Sequence, residues 1–301
     1  MRTRNLCVAV FTLLVVVTGH ISSQAAPARA YPTTGTVALF LDGAIAGFVQ
    51  AVGGGAIVAD AISEPRTPGA FPKKHPSRAR LEPLHLQILS TASKPFFQWL
   101  SAALAGTPQV KTGVLVTYDA VLKEQERRTF TNLRLLEIGF PAFDASSKEP
   151  ASLAVVAQAE AVVITPGGGQ SVPKAAMPRP ALASNFRLTL AGLDTARVSK
   201  VSPITVKLSP QGEISNLSVE LAEPAADWRK WHEAFVVRGQ GTDANEKSGT
   251  LDLLTADLTT TMLRLRLDGV GILRLEPTTG VDKLSRLKAE LYAESVRVEL
   301  P

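Results

Sequence analysis

Cysteine is almost missing from this sequence of 301 residues, since Cys7 is the single one. It lies in an N-terminal segment laid out like a secretory signal peptide: two arginines, a short apolar run, and Ala28-Arg29-Ala30 as a small-residue cleavage signal. We therefore predict that residues 1–30 are a signal peptide and that cleavage near Ala30 exports the protein to the periplasm or the extracellular space. The mature chain would then have no cysteine, which excludes disulfides and a thiol nucleophile.

Long apolar runs and a strong excess of one charge are also missing. The apolar run Leu6–Thr18 has about 13 residues, fewer than the ~20 that a spanning helix needs, so we expect no transmembrane segment in the mature chain. Removing Arg2, Arg4 and Arg29 from the 32 basic residues leaves 29 against 27 acidic residues. A nucleic-acid-binding protein usually concentrates basic charge, so we expect no specific nucleic-acid binding.

Motifs for catalysis or metal binding are scarce. The mature chain has three histidines, His75, His85 and His232, and none lies in a metal-binding spacing. No serine lies in a Gly-x-Ser-x-Gly elbow. The sequence therefore predicts no enzyme, no catalytic residue, no metal site and no cofactor. A hydrolase with two carboxylates close only in space stays as a weak alternative. Trp99, Trp228 and Trp231 could stack on sugars, but their helical spacing on an apolar face favours the core.

A long internal repeat dominates what is present. Lys111–Ile164 and Lys247–Leu300 have equal length and open as Lys-Thr-Gly-Val-Leu and Lys-Ser-Gly-Thr-Leu. The residues that coincide without a gap are Lys111 with Lys247, Gly113 with Gly249, Leu115 with Leu251, Ala120 with Ala256, Leu122 with Leu258 and Pro141 with Pro277. After a shift of two residues, Ala159-Glu160-Ala161-Val162 matches Ala293-Glu294-Ser295-Val296. Such a repeat predicts two related domains in tandem.

The domain boundaries follow from this repeat and from composition. We expect a first domain over 31–164, a Gly/Pro-rich linker over 165–183 and a second domain over 184–301. Alternating apolar residues, as in Leu84-x-Leu86-x-Ile88, predict strands. Phe96-Phe97-Gln98-Trp99 and Trp228-Arg229-Lys230-Trp231 each lie on a predicted helix. The expected fold is mainly β, with two tandem antiparallel β-barrel or sandwich domains, each with one flanking α-helix.

Turn signals and one loop complete the local reading. Asp42-Gly43 predicts a hairpin turn, because a type I′ turn needs positive φ at both central residues, and Asp268-Gly269 predicts another. Asp227 is the expected cap of the second helix. Ser63–Arg80 carries four prolines and is predicted as a loop. Its basic residues make it a candidate partner-contact loop, and the ones that we single out are Lys73, Lys74, Arg78 and Arg80.

Two segments resemble a known family. Val37–Gly54, with its Leu-Asp-Gly turn, is similar to the opening hairpin of phage tail-tube proteins. Leu135–Asp144, continuing through Ser147-Lys148-Glu149-Pro150 to Leu153, resembles the family segment in which a strand ends at a proline and a loop leads to the closing strand. The resemblance covers about 130 residues of the first domain. It implies a small β-barrel with one flanking helix, assembled into six-barrel rings around a channel. The predicted signal peptide departs from the family pattern.

The functional expectation is a non-enzymatic structural protein, tail-tube-like, that self-assembles into a ring or a short tube. Because one chain has two predicted domains, three chains would form a pseudo-hexamer. The expected partner is therefore the protein itself, as a homotrimer, with other tail-like or envelope proteins as further candidates. The alternative is a secreted β-rich binding module that recognises a polysaccharide or a surface protein through the basic loop and exposed aromatic residues.

Overall fold

A computed structural model describes residues 31–64, 71–171, 180–208, 211–279 and 285–299. The predicted signal peptide and its cleavage site up to Ala30 lie outside the described residues. The fold is mainly β with two α-helices, so the expected fold class is confirmed.

Residues 31–166 form twelve strands and one helix. They are β1 (Tyr31–Leu41), β2 (Ala44–Gly54), β3 (Ile57–Val58), β4 (Ala61–Glu64), β5 (Lys73–Pro76), β6 (Arg80–Leu81), β7 (Leu84–Leu89), α1 (Lys94–Leu104), β8 (Lys111–Tyr118), β9 (Glu124–Phe140), β10 (Phe143–Asp144), β11 (Ser152–Gln158) and β12 (Ala161–Pro166).

Residues 186–299 form eight strands, a second helix and two short helical turns. They are β13 (Phe186–Leu190), β14 (Val198–Val201), β15 (Ile204–Lys207), β16 (Glu213–Ile214), β17 (Leu217–Ala222), α2 (Ala226–His232) with the π-helical turn Glu233–Val237, the 3-10 turn Asp243–Asn245, β18 (Lys247–Leu254), β19 (Thr261–Thr279) and β20 (Ser285–Glu299).

The first sheet closes into a barrel. Its antiparallel pairings run from β11 to β7, β2, β1, β8 and β9, and β9 pairs back with β11. Closure removes the free edges of these strands and encloses one core. That core includes side chains with at most 1% exposure: Leu39, Ile88, Phe96, Trp99, Leu100, Leu133 and Leu153.

The second sheet curls in the same way but stays open. Its order is β10, β14, β17, β20, β19, β18 and β13. Among the described residues no pairing joins β13 to β14, which would be the counterpart of the β1–β2 hairpin. β10 and β13 are the two end strands of this open sheet. The rings of Phe143 in β10 and Phe186 in β13 contact each other across the gap between these strands, with centroids 5.4 Å apart.

We call residues 31–166 the first half of the chain and residues 186–299 the second half. Each half has one helix whose aromatic face is packed in the core. In α1 the buried residues are Phe96, Phe97, Trp99, Leu100 and Ala103, at helical spacing. In α2 and its π-helical turn they are Trp228, Trp231 and Phe235. The predicted burial of the tryptophans is therefore confirmed, which leaves them unavailable for a sugar-stacking surface.

The two halves repeat unusual backbone geometry. Leu122 has φ +62° and Leu258 has φ +59°, each in the turn that follows β8 or β18. A bulky side chain rarely adopts positive φ. Asn132 (φ +53°) in β9 and Gly269 (φ +61°) in β19 likewise both lie at a register shift against the preceding strand.

Three local predictions were wrong. Gly269 lies in a bulge inside the continuous strand β19, so Asp268-Gly269 is not a hairpin turn; a bulge uses positive φ as well as a turn does. Ser63–Arg80 is not all loop, because β4 pairs with β5; Pro76 is tolerated at the end of an exposed two-stranded ribbon. Asp227 does not cap α2: it lies in the first turn and accepts a hydrogen bond from the Asp194 backbone N–H.

Among the residues that the structure describes, no helix is both long and apolar enough to span a bilayer.

Candidate assembly interface

The two halves of the chain are joined by an exchange of strands. β15 and β16 come from the second half but belong to the first sheet, where β15 pairs with the end of β9. β10 comes from the first half but pairs with β14 in the second sheet. Two antiparallel segments, residues 136–145 and 199–208, therefore run alongside each other from one sheet to the other. We call this pairing the internal joint.

The register of the internal joint is the same on both sides of the crossing. Phe140 pairs with Ile204 before it, and Phe143 pairs with Val201 after it. Backbone hydrogen bonds extend the ladder at both ends: Leu208 N–H donates to the Leu136 carbonyl at 2.7 Å, and Ala145 N–H donates to the Ser199 carbonyl at 2.9 Å. Paired stretches on the two sides of the crossing thus join the two sheets in one register.

Prolines mark the place where each segment changes sheet. Pro141 follows Phe140 at the end of β9, and Pro203 precedes Ile204 at the start of β15. A proline has no N–H to give to a ladder and therefore interrupts a strand. The expectation that a strand ends at Pro141 is confirmed. Here, the interruption lets each segment leave one sheet and join the other.

The internal joint is apolar at its centre and charged at both ends, where Asp144 lies beside Lys200 and Glu137 pairs with Lys207. Phe140, Phe143, Val201 and Ile204 are at most 2% exposed. At the end of the ladder, Lys200 Nζ lies 3.3 Å from Asp144 Oδ2. A hydrogen bond from the Ser146 hydroxyl lowers the pKa of Asp144 against the effect of burial, and Lys200 lowers it further. Most of the binding energy of such a contact comes from its buried apolar residues.

A second contact between the halves is made by α1 and β20. Ser101 Oγ lies 3.5 Å from the Val298 carbonyl oxygen. The C-terminal end of α1, the β15–β16 hairpin and the end of β20 line one cleft of about 790 Å³. Val296 and Val298 on this part of β20 are 3% and 6% exposed. Thus the two halves contact each other in two ways, through α1 against β20 and through the β15–β16 hairpin against the first sheet.

The sequence-predicted contact residues lie away from the internal joint. Lys73 and Lys74 are on β5, Arg80 begins β6, and Arg78 lies between these strands; all four are exposed. Arg80 Nη2 is 3.4 Å from Asp60 Oδ1. Within the described ranges, Lys73, Lys74 and Arg78 have no ion pair within 4.0 Å. We refer to β4 and β5 together as the basic hairpin.

No arrangement for metal binding is present in the part of the chain that the structure describes: it has no cluster of three His, Cys, Asp or Glu side chains. His75 lies 3.8 Å from Glu64 on the basic hairpin, while His85 is on β7 and His232 ends α2. The buried carboxylates serve ion pairs. Glu124 accepts two hydrogen bonds from Arg127, at 2.8 and 3.1 Å, and Asp252 accepts two from Arg264, at 2.7 and 2.8 Å.

Several solved structures are similar to part of this chain. One is a chain of the sheath–tube complex of an extracellular contractile injection system (PVC) in its extended state, with 15% identity and a TM-score of 0.37 over 45% of this chain and 92% of that chain. A chain of the anti-feeding prophage cap, a tube-terminating cap, has 17% identity and a TM-score of 0.37 over 49% of this chain and 99% of that one. Hcp1 from Flavobacterium johnsoniae has 17% identity and a TM-score of 0.30 over 46% and 98%.

Two of these three structures are described as a sheath–tube complex and a tube-terminating cap. Each matches about half of this chain and nearly all of its own length. No protein-family model and no curated protein matches the sequence.

The sequence reading missed the internal joint. Pro141 lies in the segment that resembles the tail-tube family, but nothing in the sequence indicates that Val201-Ser202-Pro203-Ile204 pairs with this segment. The two segments do share one pattern. Phe140-Pro141-Ala142-Phe143 and Val201-Ser202-Pro203-Ile204 each have two residues, one of them proline, between two apolar residues. Such a pattern gives no partner by itself, because strand pairing depends on contacts far apart in sequence.

Proposed function

We propose that this chain is a non-enzymatic structural subunit, built by tandem duplication, that self-assembles into a closed ring of three chains or a short tube of such rings. Two related halves per chain would give each ring six similar units. The observation that carries the proposal is the internal joint, in which one half adds a strand to the edge of the other. Strand addition is a general mode of protein association.

A head-to-tail joint has a consequence for assembly. It uses two different surfaces, one on each half, so a chain keeps one unused surface of each kind. Contacts of this type produce a ring when the rotation closes, and a filament when it does not. The tail-tube resemblance in the sequence implies six barrels per ring, and this favours closure after three chains. The tube and cap roles printed for the similar structures are extended to this chain as part of the same proposal.

Sedimentation at micromolar concentration tests the proposal. A species with the mass of three chains supports it. A monomer at every concentration and salt condition would contradict it.

A secreted binding module is the second candidate. It is favoured by the exposed lysines of the basic hairpin and by Phe71, which is 93% exposed beside them. Such a module would be a monomer whose binding to an acidic polysaccharide weakens with salt. Loss of that binding in the Lys73→Ala, Lys74→Ala double variant, in a monomeric protein, would favour this function over ring assembly.

We also propose that the protein is exported. The support is the signal-peptide pattern of residues 1–30. Mass spectrometry of the natively produced protein should find Tyr31 at the N-terminus. An intact Met1 form recovered from the cytoplasm would contradict export without bearing on ring assembly.

A further inference from the structure

We propose that Val236 and Val237 of one chain pack against β12 of a second copy, on Ile164. The proposal rests on ring assembly as the function and names the surfaces that would join the chains. It is argued from the α1–β20 contact inside the chain. The counterpart of α1 is α2 with its π-helical turn, the counterpart of the end of β20 is β12, and both counterparts carry exposed apolar side chains.

The first step is the correspondence of the helices. Trp99 in α1 and Trp231 in α2 are both buried, and Ala103 and Phe235 are buried one turn later. Each helical segment then ends near a glycine with positive φ, Gly106 or Gly239. The π-helical turn adds one residue in the second half, so Val236 and Val237 together correspond to Leu104 and Ala105.

The second step is the correspondence of the strands. The repeat aligns Ala159–Val162 with Ala293–Val296, so Ile164 corresponds to Val298. Both strands also pair with the long strand before them, β12 with β9 and β20 with β19. β12 is therefore the part of the first half that corresponds to the end of β20.

The third step is the contrast in exposure. Beside α1, Val298 is 6% exposed, whereas its counterpart Ile164 is 57% exposed. Leu104 is half-buried against the core, whereas its counterpart Val236 is 40% exposed. Val237 next to it is 69% exposed, and its counterpart Ala105 is exposed as well. Neighbouring exposed apolar side chains typically mark an interaction surface. Here the same type of contact, already formed once in the chain, identifies the partner as a second copy.

The edges of the long strands β9 and β19 also support the proposed contact. The end of β9 is covered by β15, and Ile138 there is fully buried. The corresponding end of β19, residues 273–277, has β20 on one edge, and no described strand pairs with the other. Leu273 on this stretch is 44% exposed.

The donor that would cover this edge corresponds to the β15–β16 hairpin. In the first half, the segment between β2 and β7 occupies that place, and its paired strands β3 and β6 lie next to β2 and β7 in the chain. Val236, Val237 and the end of β19 all lie on the second half, while β12, β3 and β6 lie on the first. One head-to-tail contact between two chains could therefore engage all of them, as the internal joint and the α1–β20 contact do within one chain.

Engineered cysteines test the contact directly. In full-length protein carrying Cys7→Ser, Ile164→Cys is combined with Val236→Cys or with Val237→Cys, and the chains are treated with a short bis-maleimide. Cysteine suits these positions because all three side chains are substantially exposed. Denaturing gels should show linked chains up to a three-chain species for at least one pair, and none for the single-cysteine variants.

The outcomes separate this contact from ring assembly itself. Three-chain particles in sedimentation, with no linkage for either pair, would overturn the proposed contact and leave the proposed function intact. Monomers without linkage would overturn both. Linkage that stops at two chains, with monomers in sedimentation, would also count against the contact as a ring interface.

A charge substitution gives an independent readout. Val237→Asp should raise the concentration needed for assembly at least about tenfold, because a carboxylate would be buried without a partner. Val121→Asp is the matched control, since Val121 is 71% exposed in the turn after β8. Equal effects of the two substitutions, or no effect of Val237→Asp, would contradict the proposal.

Discussion

At the scale of single residues, Trp99 and Trp231 occupy equivalent buried positions on their helices but differ in the hydrogen bonding of their indole N–H groups. Trp99 is 1% exposed and donates its indole N–H to the Gln109 carbonyl at 2.9 Å. Trp231 is 8% exposed, and its indole nitrogen has no hydrogen-bond partner among the described residues. Both side chains fill a core, while only Trp99 also satisfies its donor.

We predict that Trp99→Ala and Trp231→Ala each lower the free energy of unfolding by about 3–5 kcal/mol, because each leaves a large cavity. Trp99→Ala should be the more severe of the two, since the Gln109 carbonyl also loses its donor. Denaturant unfolding measures both. Phe71→Ala is the control, with an expected change within about 0.5 kcal/mol at this exposed position. A loss below 1 kcal/mol for both tryptophans would contradict their burial.

Asp252 is the buried carboxylate with the most charged partners. It is 1% exposed and lies between Arg264 and Arg187, 2.7 and 3.3 Å away. Burial raises the pKa of Asp252, but the two arginines outweigh this effect, so the pKa in the folded state is lowered. The ionised form is thus favoured by folding, and its stabilising effect is present above the unfolded pKa of about 3.9.

We predict that Asp252→Asn lowers the free energy of unfolding at pH 7 by about 1.5–3 kcal/mol, the value of hydrogen bonds to charged groups. The difference from the unsubstituted protein should shrink as the pH falls below about 3.9 toward the folded-state pKa. Urea unfolding across this range measures it. Asp60→Asn, in an exposed pair with Arg80, should change stability by at most about 1 kcal/mol. A difference that stays constant down to pH 2 would contradict the assigned role.

At the scale of elements, the internal joint depends on which face of β15 is buried. Ile204 is 1% exposed, and Thr205, the next residue, is only half-buried. Successive side chains on a strand point to opposite faces, so these neighbours give a matched pair of substitutions in the same ladder.

We predict that Ile204→Ala lowers the free energy of unfolding by about 2–5 kcal/mol, and that Thr205→Ala changes it by about 0.5 kcal/mol. The amide of Leu208, which bonds to Leu136 across the internal joint, should exchange its hydrogen faster in the first variant only. Equal effects of the two substitutions would mean that the contact between β9 and β15 adds little to the fold.

The elements also show what could be predicted from the sequence. Asp42-Gly43 was correctly predicted as a turn, and both residues have positive φ (+49° and +84°). The same dipeptide at Asp268-Gly269 was wrongly predicted as a hairpin turn. A dipeptide of this kind favours positive φ, and positive φ suits a bulge inside a strand as well as a turn between two strands. Alternation placed Leu84-x-Leu86-x-Ile88 correctly on a strand with a buried face.

The internal joint could not be predicted in this way. Alternation indicates which face of β15 is buried, but not which sheet it joins, because partner choice is settled by contacts between residues distant in sequence. The same limit applies to the candidate site. Composition identified the exposed basic residues of the basic hairpin, whereas Ile164 and Val236 became notable only when the lower exposure of their counterparts Val298 and Leu104 was known.

At the scale of the whole molecule, the two halves are alike in path and different in outline. The basic hairpin projects from the first half, while the corresponding β15–β16 hairpin of the second half is docked on β9. A ring of three chains would therefore have six similar units but only three projections. The predicted division at residues 165–183 stays a prediction, because each sheet contains strands from both halves.

Electron microscopy of the assembled mature protein tests the central claim most directly. Class averages viewed along the ring axis should show six similar densities around a channel, with a projection on every second one and threefold symmetry. Variants that shorten the basic hairpin should lose the three projections and keep the six densities. Particles of single-chain size, or rings in which all six units carry the same projection, would contradict the account.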